Sequence, residues 1–503
     1  MITLHYKKLK LSGLILLTLP AVVFFVTWLK LYIGIPCAIL LCAAVYFASK
    51  GEDKTITVKK STIIVLLLLL TVWAVLSGIG GFFTQKSDHN IRNVILRDLI
   101  NYSWPVKYNN AGDESLVYYI GYWLVPALFG KLGAAVGGFN LAWVIARIAM
   151  VVWTVILLFN SFVLILFKTG AQRKKAVYFS LLIFVLFSGM DALGSLFDPS
   201  AFFSHLEWWA SAFQYSSMST QLCWVFNQSV PAWLACSIAF NEKDEKSFAL
   251  IGLLLLPTSP LPLVGLAAYM IMFAVRSLIL AVKEKNVGQF FKNIFTPQNI
   301  LAIVTLFPVY ALYYGNNAVS TDEAAGGTAA LALNFSPYYI GMYIFFCLLE
   351  FGFMLLALHN KSNRFESLVI LLSLMAIPFV TVGNGIDFCM RASIPALYLL
   401  MIMLMDYLVP ELLKKKDPKV DKNSKEYQKR ARKLLTVLLI FTIGVFTPLV
   451  EYSSSMSKFI QTKGECVTEY DYLDSLTDLT IDHKMNFVGT DSSNSAFYRY
   501  IGK

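Results

Sequence analysis

The chain has 503 residues, of which 57% are apolar and only 15% charged, and its mean hydropathy is +0.63. A soluble domain carries about 25% charged residues, so this composition excludes a water-soluble enzyme and predicts membrane-spanning helices. The net charge of +11 does not indicate nucleic-acid binding, because the basic residues cluster in short loops between apolar runs, as in the cytoplasmic loops of polytopic membrane proteins.

Apolar runs of roughly bilayer length predict an all-α polytopic membrane protein with about 13 transmembrane helices. The runs are 11–29, 31–49, 61–81, 139–167, 176–193, 223–240, 248–258, 261–282, 300–314, 338–358, 368–382, 394–408 and 434–450. With the N-terminus in the cytoplasm, every strongly basic loop falls inside and the C-terminus falls outside. We therefore expect a multi-pass protein of the plasma membrane.

The segment 117–135 is aromatic and is interrupted by Pro126. If it crossed the membrane, the basic run 173–175 would lie outside, so we expect an interfacial or re-entrant helix on the outer face. The predicted organisation is a transmembrane hairpin with a basic loop (1–60), a main transmembrane bundle (61–450) with outer loops 82–137 and 191–222, and a small extracytoplasmic tail (451–503). We expect the tail to lie near the first outer loop.

The first outer loop carries an acid, a histidine and two arginines, namely Asp88, His89, Arg92 and Arg97. A carboxylate just outside a span is placed to act as a general base toward a hydroxyl group, and guanidinium groups bind phosphate with two parallel hydrogen bonds. Two structural alternatives remain open. Asp88 is also a favoured residue for capping the helix that follows, and interfacial arginines also contact lipid headgroups.

A second constellation lies between residues 383 and 395, where Asp387 and Arg391 stand four residues apart. On a helix these side chains share a face and can pair. A charged residue at the membrane boundary is costly unless it is paired or functional. The sequence thus leaves two interpretations, a structural ion pair that caps the span and a phosphate-binding role for Arg391.

Aromatic residues near the two long outer loops are candidates for stacking on a sugar ring, although an interfacial aromatic belt explains them equally well. They are Trp104, Tyr118, Tyr119, Trp208 and Trp209. The second loop also holds His205 and Glu207, whose spacing is not that of metal ligands, and the chain has no CxxC. The outer acids would admit a divalent metal, but no spacing indicates one, and we expect no cofactor.

The loop with Asp88, the aromatic segment Leu-Val-Tyr-Tyr-Ile-Gly-Tyr-Trp-Leu at 116–124 and about a dozen spans together resemble the GT-C superfamily of membrane glycosyltransferases. Protein O-mannosyltransferases and the lipid A aminoarabinose transferase have this arrangement. The resemblance covers the architecture of most of residues 61–410. It departs from the family where His89 follows Asp88, since many members carry a paired acid there.

The resemblance implies a GT-C-like fold and an inverting hexosyl- or pentosyltransferase. The donor would be a polyprenyl-phosphate-linked sugar, used on the outer face of the lipid bilayer, and the acceptor a hydroxyl of a glycan, lipid or cell-envelope polymer. Asp88 matches the family's first-loop acid, which serves as base or orients the acceptor. Arg391, or failing it Arg92 or Arg97, would bind the donor phosphate, with Asp387 and His89 beside it.

Two other classes of function compete with this interpretation. A transporter or lipid flippase predicts charged residues near the bilayer midplane, where Arg147 and Glu350 are the candidates. A non-catalytic assembly factor predicts no chemistry at Asp88. The adjacent amides Asn227 and Gln228 lie inside an apolar run, where they either join helices or line a cavity.

Overall fold

The computed structural model describes residues 1–108, 112–202, 205–317, 329–331, 336–382, 387–414, 423–466, 473–480 and 484–503. The protein is 75% helical. In the first half of the chain the helices are α1 (Tyr6–Trp28), α2 (Leu31–Ala48), α3 (Lys60–Leu76), α4 (Asp88–Asn101), α5 (Gly121–Thr169), α6 (Lys174–Leu186), α7 (Asp191–Gly194) and α8 (Met218–Ala239).

The second half continues with nine further helices in the described residues. These are α9 (Phe248–Leu253), α10 (Pro260–Lys283), α11 (Val287–Ile294), α12 (Pro297–Tyr314), α13 (Pro337–Leu358, with a π-helical turn at Leu348–Gly352), α14 (Arg364–Ala376), α15 (Asp387–Ala392), α16 (Ile394–Leu413) and α17 (Lys425–Gln461). The part of the chain that the structure describes has seven strands, β1 (Ile2–His5), β2 (Thr55–Val58), β3 (Lys107–Tyr108), β4 (Glu114–Leu116), β5 (Ala329–Leu331), β6 (Val380–Val382) and β7 (Val488–Gly489).

Within the described residues, nine helices are long and apolar enough to cross a membrane, or ten if the bent pair α11–α12 is one span. The protein is therefore an all-α, multi-pass membrane protein, but the expected count of thirteen spans is not confirmed. Three of the expected spans are the helices α3, α9 and α14, of 17, 6 and 13 residues. At about 1.5 Å per residue, α9 and α14 are too short as helices to cross a hydrocarbon core of about 30 Å, whereas α3 lies at the lower limit of about 17 residues for a span.

One end of the bundle, which we call the basic end, gathers the N-terminus and several loops rich in lysine. Strands β1 and β2 pair there in antiparallel register, from Ile2 opposite Val58 to His5 opposite Thr55. Lys10 of α1 forms an ion pair of 2.8 Å with Glu242, which follows α8. These contacts bring the start of α1, the α2–α3 connection and the end of α8 to the same level.

The opposite end, which we call the loop end, gathers α4, the connection between α6 and α8, and the C-terminal tail. The amide of Gly121 donates to the Pro257 carbonyl at 2.9 Å, which places the start of α5 beside the start of α10. Asn317, which follows α12, donates to the Val117 carbonyl at 2.8 Å. Residues 81–121 and 187–217 are more than sixty positions apart in the sequence. Both segments lie at the loop end of the folded protein.

Helix α5 is broken near its middle by two glycines. Gly138 adopts φ 72° and ψ −170°, a conformation that a side chain strongly disfavours, and Gly137 is also outside the helical region. This break confirms that the aromatic segment before it and the long apolar run after it are separate helical segments. The first segment packs on α4, where Gly130 gives room to Ile100.

The C-terminal tail folds back onto the loop after α3. Strand β7 pairs antiparallel with β4, which itself pairs with β3, and Lys484 forms an ion pair of 2.8 Å with Glu114. The last residue, Lys503, donates its backbone amide to the Trp28 carbonyl at 2.9 Å. The tail therefore lies against the first loop, as the sequence predicts, and it also seals the tip of the α1–α2 hairpin.

The centre of the bundle is packed with aromatic rings from four helices. Trp233 of α8 stacks at 6.0 Å on Trp73 of α3 and meets Phe184 of α6 edge-on at 5.1 Å. Tyr398 of α16 packs on the same side and shares a 2.7 Å hydrogen bond with the hydroxyl of Ser237. In a bilayer the helices associate through such packing and hydrogen bonds, since lipid is as apolar as the side chains. This core holds the loop end in a defined shape.

Candidate active site

Helix α4 begins at the first-loop acid and carries its own counter-ion. Asp88 lies in the first turn, where a carboxylate is stabilised by the positive end of the helix dipole. Arg92, one turn later, pairs with Asp88 at 2.8 Å and also donates to the Trp224 carbonyl of α8. The side chain of Arg92 is only 6% exposed, whereas that of Asp88 is 39% exposed. The acid thus faces open space while its partner is anchored.

A second arginine–carboxylate pair is built in the same way on α15. Arg391 pairs with Asp387 at 3.1 Å, which confirms that the two share a helix face, and the arginine is 10% exposed against 52% for the acid. Its Nη1 donates to the Tyr119 hydroxyl at 3.3 Å. Among the described residues, its buried Nε has no partner. A buried guanidinium with an unsatisfied N–H is a preformed site for an oxyanion.

Close packing of α10 fixes the position of α15. A side chain at Gly265 of α10 would place its Cβ 1.9 Å from the carbonyl oxygen of Ala392. Glycine is therefore required for the two backbones to touch at this point. Because Ala392 follows Arg391 directly, this contact determines where the guanidinium sits.

The two arginine–carboxylate pairs meet at the tyrosine pair Tyr118 and Tyr119, which precedes α5. The two rings lie with centroids 3.6 Å apart, and Tyr118 interacts electrostatically with both Arg391 and Arg92. Arg391 also interacts with the charge of Asp88. Burial, and next the Tyr119 ring beside it, raises the pKa of Tyr118 well above its ordinary value, so its hydroxyl remains a hydrogen-bond donor.

We call this cluster the arginine–tyrosine site. It consists of Asp88, Arg92, Tyr118, Tyr119, Asp387 and Arg391. Six of the eleven site residues expected from the sequence lie in it, although they come from three separate segments of the chain. Two cations, two half-exposed carboxylates and two phenols at one place form a surface that suits a phosphate bearing a hydroxyl-rich group.

His89 is next to this site in sequence, but it packs into the protein. It is 1% exposed and stacks on the Phe226 ring at 5.1 Å. Its Nε2 lies 2.8 Å from the Cys223 carbonyl and its Nδ1 lies 3.2 Å from the Gln85 amide. Burial, reinforced by the charge of Arg92, lowers the His89 pKa to about 3. The imidazole is therefore neutral, and it holds α4 against α8 without adding a positive charge.

Arg97 and Trp104 lie on the side of α4 that faces the tail. Arg97 donates to the Leu473 carbonyl at 2.6 Å and lies 4.9 Å from the ring centre of Trp143. The Trp104 ring packs on Trp28 at 5.2 Å. Arg97 therefore contacts the tail and α5, and Trp104 contacts the tip of α1 and, through its indole N–H, the Leu99 carbonyl of α4.

The two tryptophans of the second loop have different environments. Trp209 is 2% exposed and donates its indole N–H to Glu350 at 3.1 Å, so its ring is not accessible to a substrate. Trp208 is 45% exposed and stacks on His205 at 5.2 Å. Of the two, only Trp208 presents a face on which a sugar ring could stack.

The second loop contains a buried carboxyl group, Glu207, whose position in the sequence did not indicate a functional role. Glu207 is 1% exposed and accepts hydrogen bonds from the Ser217 amide at 2.9 Å and from Gln214 at 3.0 Å. Burial, and next the charge of Asp191, raises the Glu207 pKa to about 8. Its neighbour His205 lies 3.8 Å from Glu451, which also pairs with Lys86 at 2.8 Å.

The sequence leaves open whether the adjacent amides of α8 join helices or line a cavity. Asn227 and Gln228 are fully buried, and none of their four side-chain polar atoms has a partner among the described residues. They directly follow Phe226, whose ring contacts both His89 and the Arg92 guanidinium. Helix α8 is distorted there, with Val225 at φ −135° and ψ 34°. Buried amides are nearly always hydrogen-bonded, so this pair suits a polar ligand.

In the described part of the chain, no group of three or more His, Cys, Asp and Glu side chains could hold a metal ion. The arginine–tyrosine site has two carboxylates, but each is paired with an arginine. Comparison with known proteins gives no relative: no family model, no curated protein and no solved structure matches this chain.

Proposed function

We propose that this protein is a membrane glycosyltransferase of the GT-C type. It moves a sugar from a polyprenyl-phosphate-linked donor to a hydroxyl group of a glycan, lipid or cell-envelope polymer on the extracytoplasmic face of the plasma membrane. The observation that carries the proposal is the arginine–tyrosine site, where Asp88, Arg92 and Arg391 converge at one end of a bundle of membrane-spanning helices.

Arg391 binds the donor phosphate in this proposal. Its guanidinium is buried, its Nε is unsatisfied among the described residues, and its carboxylate partner Asp387 is half-exposed. A phosphate would reach Arg391 from the side of the half-exposed Asp387 and take the place of that carboxylate. During transfer the phosphate gains negative charge as it leaves, and a fixed guanidinium stabilises that charge. The Tyr119 hydroxyl, 3.3 Å from Arg391, holds the guanidinium in position.

Asp88 is the base for the acceptor. The acceptor oxygen attacks the anomeric carbon, the bond from that carbon to the phosphate oxygen breaks, and the phosphate departs with the bonding electrons. Asp88 takes the hydroxyl proton as the new bond forms. A single displacement of this kind inverts the anomeric centre. The ion pair with Arg92 orients the carboxylate, and its 39% exposure leaves it open to an acceptor.

Polar groups at the two pairs and on helix α8, which Arg92 contacts, suit a sugar. Tyr118 and Tyr119 offer ring faces and hydroxyl groups, and Asn227 and Gln228 offer four unsatisfied hydrogen-bonding atoms next to Phe226. A hydroxyl-rich ligand needs donors and acceptors in about equal number, and an amide supplies both. Such contacts would select among sugars and not among lipid tails.

A transporter or flippase is the second candidate function, and one observation favours it. Glu350 lies inside a candidate span, and its carboxyl group is within hydrogen-bonding reach of that of Asp191, at the loop-end terminus of another candidate span. Oδ1 of Asp191 and Oε2 of Glu350 have no donor among the described residues, so a shared proton would satisfy both. Arg147 gives this candidate no support, because its guanidinium caps the carbonyls of Gly80 and Gly81 at the loop end.

The experiment is sugar release from polyprenyl-phosphate-linked donors by the purified protein. We expect Asp88→Asn and Arg391→Gln each to lower turnover by about 100-fold or more, as loss of a general base or a charge-stabilising donor does. Matched controls are Asp198→Asn and Arg499→Gln, an acid and an arginine at the same end that lie outside the site. Both should retain near-normal turnover.

Two outcomes would overturn the proposal. If Asp88→Asn turns over donor as fast as the wild type, Asp88 is not the base. If the wild type releases no sugar from a broad donor panel but moves a lipid-linked precursor across proteoliposomes, the transporter interpretation replaces it.

A further inference from the structure

A groove runs along the lipid-facing surface between α13 and α14. It encloses about 480 Å³, and its walls are almost entirely apolar. Several side chains along it point away from the bundle: Leu356 is 71% exposed, Ile344 52% and Leu368 48%. Both helices belong to the membrane-spanning bundle, so in a bilayer this groove is filled by hydrocarbon and not by water.

The length of the groove matches one leaflet. On α14, the shorter wall, the lining runs from Arg364 to Met375, about 16 Å at about 1.5 Å per residue, and on the α13 side it runs from Tyr343 to His359, about 24 Å. Half of a hydrocarbon core of about 30 Å is about 15 Å. At the far end the Tyr343 hydroxyl donates to the Met375 carbonyl at 2.8 Å and joins the two walls. The groove is therefore the size for an acyl chain of one leaflet.

The other end of the groove is polar and positively charged. Arg364 lines it and is exposed, and it makes no ion pair within 4 Å in the described part of the chain. His359 and Ser367 lie beside it, with the imidazole Nδ1 3.0 Å from the hydroxyl. Glu366, the acid of the same turn, does not line the groove and interacts instead with Tyr269 of α10.

We propose that this groove binds an anionic glycerophospholipid, with one acyl chain between α13 and α14 and the phosphate on Arg364. An arginine at the headgroup level attracts an anionic phosphate, and His359 and Ser367 offer further hydrogen bonds to it. The groove opens at the basic end, opposite the arginine–tyrosine site, so it serves a different lipid from the proposed donor.

The experiment measures lipid binding to the delipidated, purified protein by native mass spectrometry. The probes are dioleoyl-phosphatidylglycerol and dioleoyl-phosphatidylcholine. We expect wild type to bind the anionic lipid about fivefold more tightly, the contribution of one basic residue at a charged headgroup. Arg364→Gln should remove this preference. Leu371→Trp, which fills the groove from an exposed position, should weaken the binding of both lipids.

Two matched controls distinguish this site from general effects. Lys361→Gln removes a charge from the same exposed loop without changing the lining of the groove, and Leu439→Trp adds an indole to an exposed position of α17. Both should bind as wild type does. Equal binding of the two lipids by wild type, or an equal loss in Lys361→Gln, would refute the site. Polyprenyl phosphate that displaces phosphatidylglycerol from the groove would also refute it, whether or not the protein transfers sugar.

Discussion

Replacing the two buried amides of α8 should change the stability of the protein and its activity in opposite directions. We expect the double variant Asn227→Leu, Gln228→Met to unfold at higher temperature than wild type and to lose transferase activity. Each amide is fully buried with no partner among the described residues. Burying an unpaired amide costs about 1–3 kcal/mol in proteins, and an apolar residue of similar size removes that cost. Together the two substitutions should stabilise by about 2–6 kcal/mol.

The size of the expected shift follows from the length of the chain. Unfolding entropy is about 2.1 cal/mol/K per residue, so for 503 residues the melting midpoint moves by about 1 °C per kcal/mol. The double variant should therefore melt about 2–6 °C higher, measured by thermal unfolding in detergent without donor. Added donor should raise the wild-type midpoint and leave that of the variant unchanged, because a ligand stabilises only the form that binds it.

The control for this experiment is Asn241→Leu. Asn241 lies just after α8, and its amide donates to the carbonyls of Leu164 and Ser237 at 3.1 and 2.8 Å. Its replacement removes both hydrogen bonds and should lower the midpoint. If Asn227→Leu, Gln228→Met lowers the midpoint as well, the two amides have partners in the folded protein, and the argument for a ligand there fails.

Three further predictions concern the loop end. The pKa of Glu207 is raised to about 8 in the folded protein, whereas the unfolded chain loses this proton near pH 4.5. The free energy of unfolding therefore falls as the pH rises from about 5 to about 8. Glu207→Gln should make the melting midpoint independent of pH over that window. Gly265→Ala, whose Cβ would lie 1.9 Å from the Ala392 oxygen, should displace α15 and raise the KM for donor, whereas Gly288→Ala, with open space around it, should behave as wild type. Asp98→Ala leaves two buried donors of the loop and tail unpaired, at about 1–3 kcal/mol each, and limited proteolysis should then cleave the tail faster while the spans stay protected.

The sequence alone determined the class of this protein, because hydropathy and helical spacing are properties of consecutive residues. Long apolar runs predicted an all-α membrane protein, and the described helices confirm it. The i, i+4 spacing of Asp387 and Arg391 predicted their pairing. By contrast, the break in α5 lies at Gly137 and Gly138, and the helix runs through Pro126, where the sequence suggested an interruption.

The number of spans could not be obtained in the same way. Hydropathy detects burial in lipid and burial in protein alike, and the interior of a helical bundle is as apolar as its surroundings. The run at 248–258 therefore counted as a span, although α9 is six residues long and packs among α8, α10 and α12. A short helix that packs inside the bundle is also apolar, although it is not long enough to cross the membrane.

Only the tertiary structure decided which of the candidate residues form a site. Arg391 and Tyr119 are 272 residues apart, yet their side chains share a hydrogen bond, whereas Arg97 is five residues from Arg92 and turns to the tail. On α4, successive residues point about 100° apart, so neighbours in sequence face different partners. Which face meets α8, α15 or the tail depends on how the helices pack, and that packing is set by long-range contacts such as Gly265 against Ala392.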